Sequence, residues 1–128
     1  MVGIVIVSHS RALAESVVEL SRMMAPGALM APAGGLEDGS LGTSYDRIRE
    51  AIEAVYSEEG VLILMDMGSA VMTTEMVLED LEGKNIRMAD CPLVEGAVLA
   101  AVESMGGASL ETIEDKVEEA RTTKKLDA

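Results

Sequence analysis

Phenylalanine and tryptophan are absent from the sequence, tyrosine occurs twice, and cysteine and histidine occur once each. Without large aromatics the core has to be assembled from Val, Ile, Leu, Met and Ala. The ten methionines are flexible and fill irregular gaps, so most of them are expected inside as core filler. Cys91 has no partner for an internal disulfide, and a single histidine cannot build a multi-histidine or mixed Cys/His metal site, so no metal is expected. Cys91 itself reads as a small buried residue, because no second histidine is there to activate it. Basic residues are scarce too: ten Lys and Arg against 23 Asp and Glu leave a net charge of −13. A field of that sign repels phosphate backbones and anionic lipid, so neither nucleic acid nor a membrane surface is expected as a partner. It favours partners that dock a basic face, and it also keeps an abundant protein in solution. The opening MVGIVIVSHS has no basic n-region and is too short to span a bilayer, and no other stretch approaches that length. A cytoplasmic location is expected.

What is present suits one domain over 1–128, with 48% hydrophobic and 26% charged residues. VGIVIV (2–7) is a continuous β-branched run, the pattern of a strand buried on both faces. RALAESVVELSRMM (11–24) follows at helical spacing, capped by Ser10, with Leu13, Val17, Leu20 and Met24 as its inner stripe. ALMAPA (28–33) reads as a strand that Pro32 confines to an edge or a terminus, and GGLEDGSLGTS (34–44) as a loop. A helix over 45–59, a strand over 61–65 closed by Asp66, and a helix over 70–82 come next. A strand over 85–90, a helix opened by Pro92, a last helix over 110–123 and a frayed tail from about 122 complete the chain. The order βαβαβαβαα predicts an α/β fold: an open, mainly parallel four-stranded sheet, order 2-1-3-4, with helices on both faces.

In such sheets ligands bind beyond the carboxyl ends of the strands, where the strand order reverses. Order 2-1-3-4 places the ends of the first and third strands side by side there, and with them His9 and Asp66. A neutral imidazole is a good nucleophile toward phosphorus. An acid on its other ring nitrogen fixes the tautomer and stabilises developing positive charge. The helix that starts after His9 favours added negative charge, and Ser8, Ser10, Thr43, Gly68 and Ser69 can supply N–H or hydroxyl donors. No GxxxxGK(S/T) loop occurs, and SHSRAL stands where a GxGxxG would follow the first strand, so the chain is expected to bind no nucleotide itself. A receiver-type phospho-aspartate at Asp66 would need an acidic cluster for a metal, and the first strand ends in Ser-His-Ser. Phosphoryl transfer needs mainly positioning and electrostatics, which a compact site supplies.

Four motifs in order, VGIVIVSHS, AGG…DGSLGTS (33–44), LMDMGSA (64–70) and PLVEGA (92–97), are similar to those of the phosphotransferase subunit of bacterial dihydroxyacetone kinase. That subunit resembles in fold the mannose-family IIA domains of the phosphoenolpyruvate-dependent phosphotransferase system. The resemblance implies that His9 accepts phosphate from the phosphocarrier HPr, with Asp66 as its orienting acid. His9 would then pass it to ADP held as a bound cofactor on a nucleotide-binding kinase subunit, while another subunit holds dihydroxyacetone. It further implies a loop over the site at Gly42-Thr43, a homodimer, and no cofactor on this chain. Some family members carry HPr-like and enzyme I-like domains after this one; a chain stopping at Ala128 is expected to be a single-domain form that needs separate donors. Sugar-specific IIA domains, which deliver phosphate to a IIB partner, share the His and the Asp; PLVEGA and the GTS after the glycine-rich loop favour the dihydroxyacetone system. A regulatory binding module, acting by docking alone, is a third alternative.

Overall fold

The computed structural model describes residues 1–127; Ala128, the last residue of the tail, lies outside the described residues. β1 (Gly3–Ser8), α1 (Arg11–Met24), β2 (Met30–Gly34), α2 (Tyr45–Val55), β3 (Val61–Met65), α3 (Ser69–Asp80), β4 (Ile86–Met88), α4 (Leu93–Met105) and α5 (Leu110–Glu118) follow in order, and a 3-10 turn over Glu119–Arg121 extends the last helix. The four strands are parallel, as the alternation of elements predicts, in the expected order β2-β1-β3-β4. Val2, Ile4 and Ile6 face one layer, which α1, α4 and α5 complete with Val17, Ala97, Ala101 and Ile113. Val5 and Val7 face the other, closed by α2 and α3 through Ile48, Ile52, Ala70 and Val77. β1 is therefore covered on both sides, which is why it carries no polar residue before Ser8.

Several local expectations change. α1 buries Ala14, Val17, Val18 and Ser21, whereas Leu13, Leu20 and Met24 are exposed. The reason is close approach: a Cβ on Gly34 would lie 2.8 Å from Ala14 Cβ, so β2 and α1 meet through their smallest residues. α2 stops at Val55 because Gly60 (φ +101°) and a Ser57–Gly60 turn lead the chain into β3. The methionines are mostly not core filler. Met1, Met23, Met24, Met67, Met72, Met76 and Met105 are exposed, and only Met30 is buried. Two well-filled layers of Val, Ile, Leu and Ala leave little room for them. α5 seals the open end of the first layer with Leu110, Ile113 and Val117. Beyond it Lys125 pairs with Glu95 at 2.7 Å.

Candidate functional site

β1 and β3 run in register, Val7 beside Met65, and the ladder continues one residue further as the Asp66 amide donates to the Val7 carbonyl at 3.1 Å. That step delivers Asp66 to the backbone of Ser8 and His9. The His9 amide donates to Asp66 Oδ2 at 3.0 Å and the Ser8 hydroxyl to the same oxygen at 2.9 Å. Asp66 Oδ1 lies 3.0 Å from His9 Nδ1 and accepts from the Met67 amide at 2.7 Å. Burial by itself raises the pKa of this carboxyl, but the bonds from the His9 amide, Ser8, the His9 ring and the Met67 amide together outweigh it and hold it below the ordinary value. Asp66 is thus an anion that accepts only, and in the neutral imidazole it assigns the proton to Nδ1 and the lone pair to Nε2.

His9 Nε2 faces Ser69 Oγ at 2.8 Å. Ser69 is the first residue of α3, whose cap position is Gly68 (φ +50°) and carries no side-chain cap bond. The helix start in contact with the nucleophilic nitrogen is therefore that of α3, whereas the sequence points to that of α1. Ser10 is committed as the α1 cap, accepting from the Leu13 amide at 3.2 Å. Ser8 is fully buried, and its oxygen also accepts from the Ser10 amide at 3.0 Å, so it supports the site from beneath.

The 35–44 loop is tied to the same strand end. Gly35 donates to the Ser8 carbonyl at 3.1 Å and Gly42 (φ +147°) to the His9 carbonyl at 2.9 Å. Arg11 reaches the Glu37 carbonyl with Nη2 at 3.4 Å. Thr43 is thereby carried over the site, where its hydroxyl donates to Ser69 Oγ at 3.3 Å and lies 3.0 Å from Thr73 Oγ1. Of the residues expected at the site, Thr43 and Ser69 lie on the Nε2 side of His9 next to Gly68, and Gly42 bonds the His9 backbone. Ser8 and Ser10, expected as donors to phosphate, instead have their hydroxyls committed to Asp66 and to the α1 cap. Thr73 and the Met67 amide were missed, although Thr73 could have been found: it stands four residues after Ser69, on the same helix face.

The His9 side chain keeps 28% of its surface exposed and Asp66 14%. A cavity of about 370 Å³ beside Asp66 is lined by Met65, Val71, Met88 and Cys91 and does not include His9. A larger one, about 620 Å³, lies at α4 and the C-terminal segment, away from the histidine. Burial, reinforced by the Asp90 and Glu118 charges, pushes the Cys91 thiol up to about 11, so it is a poor nucleophile at neutral pH. Among the described residues no group of three or more His, Cys, Asp or Glu could hold a metal ion, and no helix is long and apolar enough to cross a membrane.

The family model described as the PTS system fructose IIA component, EIIA-man, matches residues 3–114. The chain is 39% identical over 116 residues to the phosphotransferase subunit DhaM of the PTS-dependent dihydroxyacetone kinase of Lactococcus lactis, covering 91% of this chain and 93% of that protein. The chain belongs to the EIIA-man family and, within it, to the DhaM group. A DhaM of Pantoea ananatis, the phosphoryl donor subunit of a PEP-dependent dihydroxyacetone kinase, is 41% identical over 122 residues and 90% of this chain. The chain spans about a quarter of that relative's length (26%). Among solved structures, a protein of unknown function shares the EIIA-man fold with a TM-score of 0.83 and 28% identity, covering 99% of this chain and all of that one.

Proposed function

We propose that this chain is the phosphoryl carrier of a phosphoenolpyruvate-dependent dihydroxyacetone kinase. It takes phosphate from phosphorylated HPr onto His9 and passes it to ADP held on a nucleotide-binding kinase subunit. The observation that carries this reading is the asymmetry of the ring: Asp66 holds Nδ1 at 3.0 Å, while Nε2 faces the Ser69 hydroxyl at a helix start. Nε2 attacks phosphorus, the phosphorus–nitrogen bond of the donor breaks, and its electron pair stays on the donor ring. Asp66 stabilises the positive charge that His9 gains. The Ser69 and Thr43 hydroxyls supply donors for the phosphoryl oxygens. A histidine ring 28% exposed, outside the two cavities described, suits a protein-borne donor, and exposed Met67, Met72 and Leu41 give its surroundings an apolar surface for one. The names of the relatives from Lactococcus lactis and Pantoea ananatis support the dihydroxyacetone system. A homodimer in the cytoplasm belongs to the same reading, and sedimentation checks the dimer.

Incubation with phosphoenolpyruvate, enzyme I and HPr should place one acid-labile phosphate on the chain and none on His9→Ala. Adding the ADP-loaded kinase subunit should then discharge it. The description of the family as a fructose IIA component favours a second reading, delivery to a sugar-specific IIB protein. Discharge by a IIB domain but not by the kinase subunit would establish that alternative instead.

A further inference from the structure

Thr73 has an unusual outlet for a helical threonine. Its neighbour Thr74 spends its hydroxyl on the Ala70 carbonyl at 2.7 Å, one turn back, as threonines in helices commonly do. Thr73 Oγ1 instead meets Thr43 Oγ1 at 3.0 Å, across the gap to the 35–44 loop. Thr43 donates onward to Ser69 Oγ at 3.3 Å, which lies 2.8 Å from His9 Nε2. The loop and two positions of α3 thus form one hydroxyl chain that ends on the nucleophilic nitrogen.

The hydrogens in this chain have a direction. Nδ1 keeps its proton and donates it in a hydrogen bond to Asp66, so Nε2 accepts from Ser69. Ser69 Oγ, its hydrogen spent, accepts from Thr43, and Thr43 Oγ1, its hydrogen spent in turn, accepts from Thr73. All three hydrogens run toward the place where phosphoryl oxygens arrive.

We propose that Thr73 is a positioning residue for phosphoryl transfer: by donating to Thr43 it keeps the Thr43 hydrogen aimed at the phosphoryl group. The inference rests on the reading of His9 as phosphoryl acceptor. When the Nε2–phosphorus bond forms and the donor's phosphorus–nitrogen bond breaks, the Ser69 hydroxyl has to leave the lone pair it covers and turn to an incoming oxygen. A charged phosphoryl oxygen, a stronger acceptor than the Ser69 hydroxyl, then draws the Thr43 hydrogen away from Ser69. With Thr73 still donating into the Thr43 oxygen, the freed hydrogen stays directed into the site and bonds a second phosphoryl oxygen. Valine at 73 would preserve the shape and remove that restraint, leaving Thr43 free to rotate.

The test compares single-turnover transfer from phosphorylated HPr to His9 in the wild type, Thr73→Val, Thr73→Ser, Thr43→Val and the double valine variant. Thr73→Val should transfer about tenfold more slowly, equivalent to about 1.4 kcal/mol at the transition state, with the donor concentration for half-maximal rate unchanged. Thr73→Ser should recover the rate to within about twofold. Because Thr73 acts through Thr43, the double variant should be no slower than Thr43→Val. Wild-type rates in Thr73→Val, failure of serine to recover a loss, or full additivity in the double variant would overturn the proposal. Thr73→Ala removes the same hydroxyl with less bulk and replaces the valine variant if thermal melts show that one unfolded. A wild-type chain that accepts no phosphate sinks the reading of His9 and this inference with it, whereas a labelled wild type beside an unimpaired Thr73→Val sinks the inference alone.

Discussion

Four donors converge on the two oxygens of Asp66: Ser8 Oγ and the His9 amide on Oδ2, His9 Nδ1 and the Met67 amide on Oδ1. No amide can satisfy that set. In Asp66→Asn, whichever oxygen becomes NH2, a backbone N–H is left facing a donor, at a cost of about 1–3 kcal/mol. With the NH2 toward the ring, Nδ1 has to accept and the proton moves to Nε2, which removes the nucleophilic lone pair. Transfer to His9 should then fall on the order of 10⁴-fold, the loss seen when an amide replaces the acid that sets a histidine tautomer. Binding of unphosphorylated HPr, measured by calorimetry, should change little; equal losses of binding and rate would contradict tautomer control. The pH dependence has a definite sign. The folded-state pKa of Asp66 is depressed, so its stabilisation is complete above the unfolded value of about 3.9 and is lost as pH falls through the lower folded value. The stability gap between wild type and Asp66→Asn should be full at about pH 6, begin to narrow only below about pH 4, and close as pH falls on through the lower folded value, which urea titrations across that range check. The pairing of His9 with Asp66 was legible in the sequence, because both residues end strands. The Ser8 hydroxyl beneath the carboxylate was expected nearer the phosphate, and nothing in a serine's position along a strand shows which way its hydroxyl is committed.

At the scale of the elements, strands were the easiest to read and helix faces the hardest. β3 runs from Val61 to Met65 as its apolar run indicates, since a strand covered on both faces needs no choice of phase. α1 has the expected ends and the Ser10 cap, yet of the stripe expected inside only Val17 is buried, because Leu13 and Leu20 are no less apolar than Ala14 and Val18. The choice between stripes is made by what lies opposite: Gly34, paired with Ser8 in the β1–β2 ladder, brings β2 against the first turn of α1. Gly34→Ala tests that contact. The added methyl would press on the Ser10 carbonyl and lie 2.8 Å from both Ala14 Cβ and Arg11 Cα. Forcing an extra carbon into such a contact costs about 1–3 kcal/mol, to be read from the denaturation midpoint at unchanged slope. Since the displaced turn directly follows His9, the variant should also accept phosphate more slowly when fully folded. Gly27→Ala, 3.4 Å from the sulfur of Met105, is the control and should stay within about 0.5 kcal/mol of wild type.

The molecule as a whole brings together what no local pattern contains. Sheet order sets His9 beside Asp66; the βαβ alternation implies the parallel sheet, and 2-1-3-4 is the common order for four such strands. The contact of Thr43 with Thr73, by contrast, joins positions 30 residues apart through a loop without regular periodicity, so it becomes visible only once the chain is folded. Charge belongs to this scale too. A net charge of −13 on 128 residues attracts a basic partner over distances at which hydrogen bonds do nothing, and that attraction is screened over about 10 Å at 0.1 M salt. Transfer within the docked pair depends instead on short contacts around a half-buried ring, such as Nδ1 to Asp66 at 3.0 Å, which salt screens far less. The two steps should therefore separate in stopped-flow measurements. The association rate constant for phosphorylated HPr should fall about tenfold or more from about 0.02 to 0.5 M salt. The limiting transfer rate at saturating donor should stay within about twofold. A flat association rate would mean that the exposed methionines on and before α3, Met67, Met72 and Met76, govern docking through apolar contact rather than steering. A limiting rate that fell in step with association would mean that charge acts inside the complex, contrary to the short-range geometry of the site.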